Sequence, residues 1–392
     1  MKNSTPDSVF IFSSRLSSAG GAEKVAIDSA MLLADKDIKV FFSTASVENP
    51  EISEALESRG IDVTPISMSR SVRNLLRKGD NKNAAEKAVL QLTDLLNIKA
   101  AFSLYRQIKD RSPTVIHFHK IRSVSPLVFM AARLAAPKGA KIFYTCHDYE
   151  FFSFNAKRIG GACQGIYYYL FRKPFEYCLD KVVTPSNFVN DKISSYASKD
   201  KVKTVHNFFD KEIKQVEKIE NKFCFIGRLE KIKGIDNLLR GISQVEASDF
   251  ELYVIGTGSL QDELKEKYGS DTRIKFTGKL EHTEVIAHLE SSSVSFIPSC
   301  WDEFFGLTAL ESIASGCFVV YSNQGALPEI FTETDRSSGY MLEADDFSRP
   351  EKIRRAVFES KKYKPAVDKL TKDLKKFEAQ HAVDTMLEVY AQ

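Results

Sequence analysis

Three observations make this chain an α/β protein built of two doubly wound parallel sheets. Short runs of Val, Ile, Phe and Tyr alternate with longer stretches of helical period, the pattern of strand–helix–strand units that build a parallel sheet. The alternation comes in two blocks, separated by a charged, weakly patterned stretch. A length of 392 residues with 43% hydrophobic content is enough for two buried cores.

Taken in order, the first block offers strands at Val9–Phe12, Val40–Ser43, Val115–Phe118, Ile142–Thr145 and Val182–Thr184. The second offers Phe223–Ile226, Leu252–Ile255, Ile274–Phe276, Val294–Ile297 and Phe318–Tyr321. The stretch 210–222 is expected to link them. Domains 1–209 and 223–373 follow, and residues 374–392 hold a last helical run, Leu374–Tyr390, whose pattern alone fits either sheet.

Composition excludes several classes. The apolar stretch Pro126–Ala136 is broken by Arg133 and falls short of the roughly 20 residues a spanning helix needs. Met1–Phe12 carries one lysine and only the apolar run Val9–Phe12, too little for a secretory signal. Six cysteines, at 146, 163, 178, 224, 300 and 317, show no C-x-x-C spacing, so neither a zinc site nor a disulfide framework is indicated and a reducing, cytoplasmic location is expected. A net charge of +3 with no accompanying motif gives no support for nucleic acid binding.

The residues suited to chemistry fall just after strands, where open parallel sheets bind ligands. Gly20-Gly21-Ala22-Glu23 follows the first strand and opens a helical run; two glycines allow close backbone approach, and a helix start offers N–H groups to a phosphate. Alone, a Gly-Gly turn is usually just a connection. Gly227-Arg228-Leu229, with Lys233-Gly234 behind it, follows Phe223–Ile226 and supplies a planar fork and a mobile point charge for phosphate oxygens. Thr145-Cys146-His147-Asp148-Tyr149 ends another strand, and a lone histidine there reads equally as structural.

The densest stretch is Pro298–Glu329. Glu303 and Glu311 lie eight positions apart around Phe304-Phe305-Gly306-Leu307-Thr308, where a loop turns into a helix marked by Leu307, Leu310, Ile313 and Ala314. A helix start has unpaired donors and a partial positive charge, and flanking carboxylates accept sugar hydroxyls. Either glutamate on its own reads as a solvated acid.

In order and spacing these motifs resemble the family 4 retaining glycosyltransferases, the group 1 glycosyltransferases of GT-B fold. The resemblance rests on Gly20-Gly21-Ala22-Glu23, Thr145-x-His147-Asp148, Gly227-Arg228-Leu229-x-x-x-Lys233-Gly234, Pro298-Ser299, Glu303, Phe305-Gly306-Leu307-Thr308, Glu311, Ala314-Ser315-Gly316 and Gly325-x-x-Pro328-Glu329-Ile330. Two positions depart from it: Phe318 stands where the family commonly has Pro, and Ala326 where a second Gly is common. The resemblance implies two Rossmann-like domains facing across a cleft, with the last helix crossing back to the first. It implies that Glu303 contacts the donor sugar, the backbone of Phe305, Gly306 and Leu307, with Thr308 beside it, the sugar hydroxyls, and Glu311 the ribose. Arg228 and Lys233 would clamp the diphosphate, Gly20 and Gly21 border it and the acceptor, and His147, with Asp148 beside it, would face donor sugar and acceptor. His119, Ser186 and Asn207 match less specific family features.

The chemistry implied is transfer with retention at the anomeric carbon, the leaving phosphate helping to take the acceptor proton, with no cofactor and no metal. Asp35-Lys36-Asp37, the only D-x-D, ends a helical run and reads as a solvated turn. Gly256-Thr257-Gly258 lacks the third glycine of a dinucleotide fingerprint. No acid pair presents itself as a hydrolase's acid and base.

Residues 68–111 hold ten basic residues against four acids, with Leu75, Leu76, Leu90, Leu95 and Phe102 between them. Two readings stand side by side: a basic amphipathic surface resting on anionic membrane, or a helix pair with a solvated basic face. Aromatics at Tyr149–Phe154 and Tyr167–Phe171 fit an acceptor wall, a membrane-facing rim or core. The expected protein is a cytoplasmic hexosyltransferase using a nucleotide sugar, UDP favoured. Its acceptor would be a glycan or lipid-linked sugar of envelope polysaccharide synthesis, lipopolysaccharide or capsule. Kept open are a GT-B binding or scaffold protein without turnover, and a sugar phosphorylase or epimerase on the same fold.

Overall fold

The computed structural model describes residues 5–17, 20–69, 72, 74–75, 83, 85–86, 88–90, 96–122, 124–151, 173–194, 198–209, 213, 216–246, 249–334 and 336–392. Two compact units emerge, one of Met1–Asn207 with Ala379–Gln392, the other of Phe208–Glu378.

The first unit is a seven-stranded sheet of β1 (Ser8–Leu16), β2 (Lys39–Val47), β3 (Asp62–Pro65), β4 (Val115–Lys120), β5 (Lys141–Thr145), β6 (Lys181–Thr184) and β7 (Val202–Thr204). The order is β3-β2-β1-β4-β5-β6-β7, every pair parallel. β1 is buried on both faces, as a central parallel strand must be. The helix Gly21–Ala34 turns Ala26, Ile27, Ala30 and Leu33 onto β1 and β2 at helical spacing.

The second unit holds β8 (Ile219–Ile226), β9 (Glu251–Ile255), β10 (Ile274–Gly278), β11 (Ser292–Ile297), β12 (Phe318–Ser322) and β13 (Gly339–Leu342), in the order β10-β9-β8-β11-β12-β13 and again all parallel. Phe225, Leu239, Phe296 and Val320 fill one face, and Leu310, Ile313, Val319 and Phe331 the other. In both sheets the order turns back on itself between two neighbouring strands, β1 and β4 in one, β8 and β11 in the other. Loops leaving that point open a crevice at the carboxyl ends.

All ten expected strands are present, most of them longer than expected. Three more, β3, β7 and β13, were not expected, and each lies at a sheet edge. They are short and partly exposed, so they lack the apolar run that marks a strand packed on both faces. β8 begins at Ile219, inside the stretch 210–222 expected as a linker. The final helix also starts later than the expected 374: Leu374 and Phe377 pack in the second unit's core, while Ala379–Ala391 buries Val383, Val389 and Tyr390 in the first unit's. Asp35-Lys36-Asp37 forms the turn after the first helix, Asp37 at φ 59°. Much of the basic stretch within 68–111, and the aromatics of 152–172, lie outside the described residues.

Tyr390 is buried, with its hydroxyl 2.7 Å from His117 Nδ1 and its ring 4.9 Å from that of Phe143. Tyr390→Phe should cost about 1–3 kcal/mol by leaving a buried imidazole nitrogen unpaired. Tyr390→Ala should cost about 3–5 kcal/mol by opening a cavity as well. Urea unfolding followed by circular dichroism checks the order of the two.

Candidate active site

At the carboxyl end of β8 the chain passes through Gly227-Arg228-Leu229 into a short 3-10 turn, Lys231–Lys233, and then the helix Ile235–Ser243. The loop after β9 holds it in place: Leu229 N–H donates to the Thr257 carbonyl at 3.0 Å, and Leu260 N–H to the Leu229 carbonyl at 3.0 Å. Gly256-Thr257-Gly258 is therefore a strut under the arginine loop. From β11 the chain runs through Pro298 and Ser299, pinned by Cys300 N–H donating to the Ile232 carbonyl at 2.9 Å.

These two loops bring Lys233 and Glu303 together. Lys233 Nζ donates to Glu303 Oε1 at 2.6 Å, and Ser299 Oγ donates to the same oxygen at 2.5 Å. Burial pushes the Glu303 carboxyl up, but Lys233 and the Ser299 bond outweigh it, so the group stays ionised below its ordinary 4.5. The Glu303 backbone is clamped as well: Ala326 N–H donates to its carbonyl at 2.7 Å. Gly325 sits at φ 62° where a Cβ would collide with the Glu303 backbone, so only glycine fits. The Gly325–Ile330 motif thus backs Glu303. Ala326, at φ −83°, needs no glycine, and Phe318 opens β12 packed on Tyr363, which accounts for both departures from the family pattern.

Arg228 reaches outward, its side chain 58% exposed and bonded to Glu230 at 2.6 Å. Phe305 is buried against Phe377. Gly306, at φ 105°, caps the helix Leu307–Ala314, and no side chain caps its first turn, where Leu307 and Thr308 sit. Glu311 lies one turn further on, 3.9 Å from His282 Nε2.

In the first unit, the ends of β1, β4 and β5 gather a second cluster. Glu23, in the first turn of Gly21–Ala34, accepts from Lys120 Nζ at 3.2 Å, and Lys120 lies 4.0 Å from Asp148 Oδ2. Burial pushes Glu23 up and Lys120 down, but their attraction outweighs it, so Glu23 stays below and Lys120 above its ordinary value. Gly20 leaves room for the Glu23 carboxylate, on which a Cβ there would press. Glu150 N–H donates to Asp148 Oδ1 at 2.7 Å and fixes that turn. Next to this pair lie three imidazoles. His119 Nδ1 is 3.0 Å from His147 Nε2, and His117 is bonded to Tyr390 and, at 2.7 Å, to Thr145. Burial holds all three well below the ordinary value, His119 at about 3.

The structure thus joins Lys233 to Glu303 and brings Asp148 and His147 beside Lys120, with Gly20 against Lys120's partner Glu23 and Gly21 opening the helix that carries it. Sequence reasoning missed Lys120 and the roles of Glu23 and Ser299. Their signal was position: Lys120 ends β4, and Glu23 and Ser299 stood inside motifs already quoted. Ser186 and Asn207 are buried, and Ser186 Oγ accepts from Val189 N–H, capping the helix Asn187–Ser194.

The family described as Glycosyl transferases group 1 matches residues 207–373, and the one described as Glycosyltransferase Family 4 matches 19–213. The chain belongs to the group 1 glycosyltransferases. An uncharacterized glycosyltransferase of Methanocaldococcus jannaschii, MJ1607, is 29% identical over 49% of this chain and 56% of its own length. An uncharacterized 41.2 kDa protein in the cps region of Klebsiella pneumoniae is 27% identical over 64% of this chain and 73% of its own length. The match thus spans little more than half of the first of these relatives. Among solved structures, Anabaena HepE in complex with UDP superposes with a TM-score of 0.69 at 14% identity, over 97% of this chain and 99% of that one. The lipopolysaccharide outer core galactosyltransferase WaaB, in apo form, gives 0.65 at 17% over 97% and 98%. At such identities the likeness shows the fold, the two parallel-sheet units of GT-B glycosyltransferases.

The Lys233–Glu303 pair sets a pH signature. Because Glu303 titrates below 4.5, the pair's stabilisation is whole above that pH and is lost as pH falls through the folded value. In Lys233→Met burial is opposed only by the Ser299 bond and the Arg228 charge, so the carboxyl moves up from its native position. The variant should lose about 1–3 kcal/mol at pH 7 and recover part of it as the carboxyl takes up a proton toward pH 5. Urea midpoints for both proteins at pH 5 and pH 7 check this.

Proposed function

We propose that this group 1 glycosyltransferase moves a hexose from a UDP-sugar to a glycan or lipid-linked acceptor in polysaccharide or lipopolysaccharide synthesis, with retention and without a metal. The observation that carries the reading is the Lys233–Glu303–Ser299 cluster at the point where the β8–β11 sheet reverses its strand order. A nucleotide diphosphate placed there meets the Arg228 guanidinium and the Lys233 ammonium. Together these offset the charge that develops on the leaving group, the task a metal would otherwise perform. The ionised Glu303 carboxylate accepts sugar hydroxyls, the uncapped first turn at Leu307 and Thr308 donates to them, and Glu311 faces the ribose. UDP is favoured because HepE, of the same fold, is seen with UDP.

The acceptor is assigned to the first unit. Its cluster sets one lysine, Lys120, against Glu23, Asp148 and Glu150, with neutral histidines beside them. A surplus of carboxylates suits a neutral sugar hydroxyl rather than an anionic acceptor.

A membrane-borne acceptor gains support from the helix Ile98–Arg111. Leu96, Ile98 and Phe102 are exposed there, each by more than 60%, beside exposed Lys99, Arg106 and Lys109. The helix Leu127–Ala135, packed against it, exposes Met130 and Leu134. Arg111 takes no part, being held by Asp62 and Thr64. Apolar side chains ringed by lysine and arginine fit an anionic bilayer surface. Among the described residues no helix is long and apolar enough to cross a membrane.

Calorimetry of the purified protein with UDP, GDP and ADP, no metal added, tests the first reading. UDP should bind preferentially, and Arg228→Ala and Glu311→Ala should each weaken it roughly 10- to 100-fold, the worth of a charged hydrogen bond. Silence with every nucleotide would point to a scaffold without turnover. Sedimentation with phosphatidylglycerol vesicles tests the second. The Lys99→Glu, Arg106→Glu double variant should bind roughly 30-fold more weakly, at about 1 kcal/mol per basic residue. Equal binding to neutral phosphatidylcholine vesicles would sink the membrane assignment.

A further inference from the structure

His119 makes a single hydrogen bond among the described residues, to His147, and is itself only 1% exposed. Its other ring nitrogen, Nε2, is buried with no partner. The two rings lie nearly parallel, 5.3 Å apart at 20°, and burial keeps both neutral, so the 3.0 Å contact between His119 Nδ1 and His147 Nε2 is an N–H···N bond that one ring donates to the other. Two tautomer pairs satisfy it. In one, His119 carries its proton on Nε2, leaving a buried N–H donor with no acceptor, and His147 donates from Nε2. In the other, His119 Nδ1 donates to His147 Nε2, and the orphan atom on His119 is only a lone pair. A buried donor without an acceptor is the costlier and rarer defect.

We infer that His119 is a positioning residue that fixes the tautomer of His147, so that His147 presents its outward Nδ1 to the reacting sugars as an N–H donor and takes no proton from the acceptor. The role in transfer rests on the function proposed above; the tautomer does not. Nδ1 of His147 bears no hydrogen bond to any described residue, and the ring is only partly buried, so the donor is available. The groups facing the pair are consistent with neutrality. The His117 ring lies tilted at 36°, 4.3 Å from that of His119, and is itself bonded to Tyr390 and Thr145, while the Lys120 ammonium and the buried surroundings disfavour a further positive charge. As a donor, His147 can hold a sugar hydroxyl oxygen or a phosphate oxygen through the transfer.

Long-range 1H–15N correlation of the histidine rings in the unliganded protein decides the proposal. The His147 signals are assigned by their loss in His147→Ala. Nδ1 should read as protonated and Nε2 as unprotonated. In His119→Ala the proton should spread over both nitrogens, and His119→Asn, whose amide can donate from the place of Nδ1, should restore the single tautomer. A proton on Nε2 of His147 in the native protein, or an unchanged tautomer in His119→Ala, would overturn it. Kinetics with UDP-sugar then test the reading on which the role rests. His147→Asn, which keeps a donor at the Nδ1 position, should retain at least ten-fold more kcat than His147→Gln. Equal and native rates in both would remove His147 from the reaction while leaving its tautomer as inferred.

Discussion

The strand order of the two sheets is the constraint on which the rest depends. Right-handed crossovers send the connections from β1 and β4, and from β8 and β11, to opposite faces of their sheets, so at these two places alone neighbouring strands open a crevice. The polar clusters of both units' candidate sites grow from such a place or from the adjacent strand end. Gly20 and Glu23 follow β1, Lys120 ends β4, and His147 follows β5. Arg228 and Lys233 follow β8, and Ser299 and Glu303 follow β11. None of these residues is near another in sequence, apart from members of one loop.

Both crevices solve the same electrostatic problem. A carboxylate drawn away from water is unfavourable unless paired, and each crevice pairs one with a lysine from the neighbouring loop, Glu23 with Lys120 and Glu303 with Lys233. In each case attraction exceeds desolvation at the carboxylate, which stays ionised at neutral pH. The pairs differ in what surrounds them. Glu303 has a serine hydroxyl and an arginine loop close by, so its unit has cations to offer a ligand. Glu23 has further carboxylates and neutral histidines, so its unit has acceptors and N–H donors.

The central strands were legible because burial on both faces demands continuous apolar runs such as Val9–Phe12 and Phe318–Tyr321. The edge strands β3, β7 and β13 were not, since sequences like Asp62–Pro65 or Val202–Thr204 gain their conformation from a neighbour's hydrogen bonds. Motif letters picked out loops between strand and helix, because such a loop needs its glycines wherever backbone meets backbone. What the letters did not reveal was function within the motif. Gly325 and Ala326, quoted only as positions of a motif, brace the Glu303 backbone. Glu23 looks like one letter of a glycine turn and instead anchors Lys120. The start of the last helix was misplaced because Leu374 and Phe377 continue its apolar pattern while packing on the other unit's core.

The histidines show how far one buried contact can propagate. Thr145 and Tyr390 hold His117, the tilted ring of His117 packs on His119, and His119 meets His147, so the ring that faces outward is oriented through the strand ends from a residue close to the end of the chain. Three imidazoles this close, beside a charged lysine and largely removed from water, cannot carry positive charge at neutral pH. A neutral histidine whose inner nitrogen is already engaged has one remaining choice, to donate or to accept from the other. That choice is made by the buried partner, which is why a residue with no ligand contact of its own sets what His147 can do.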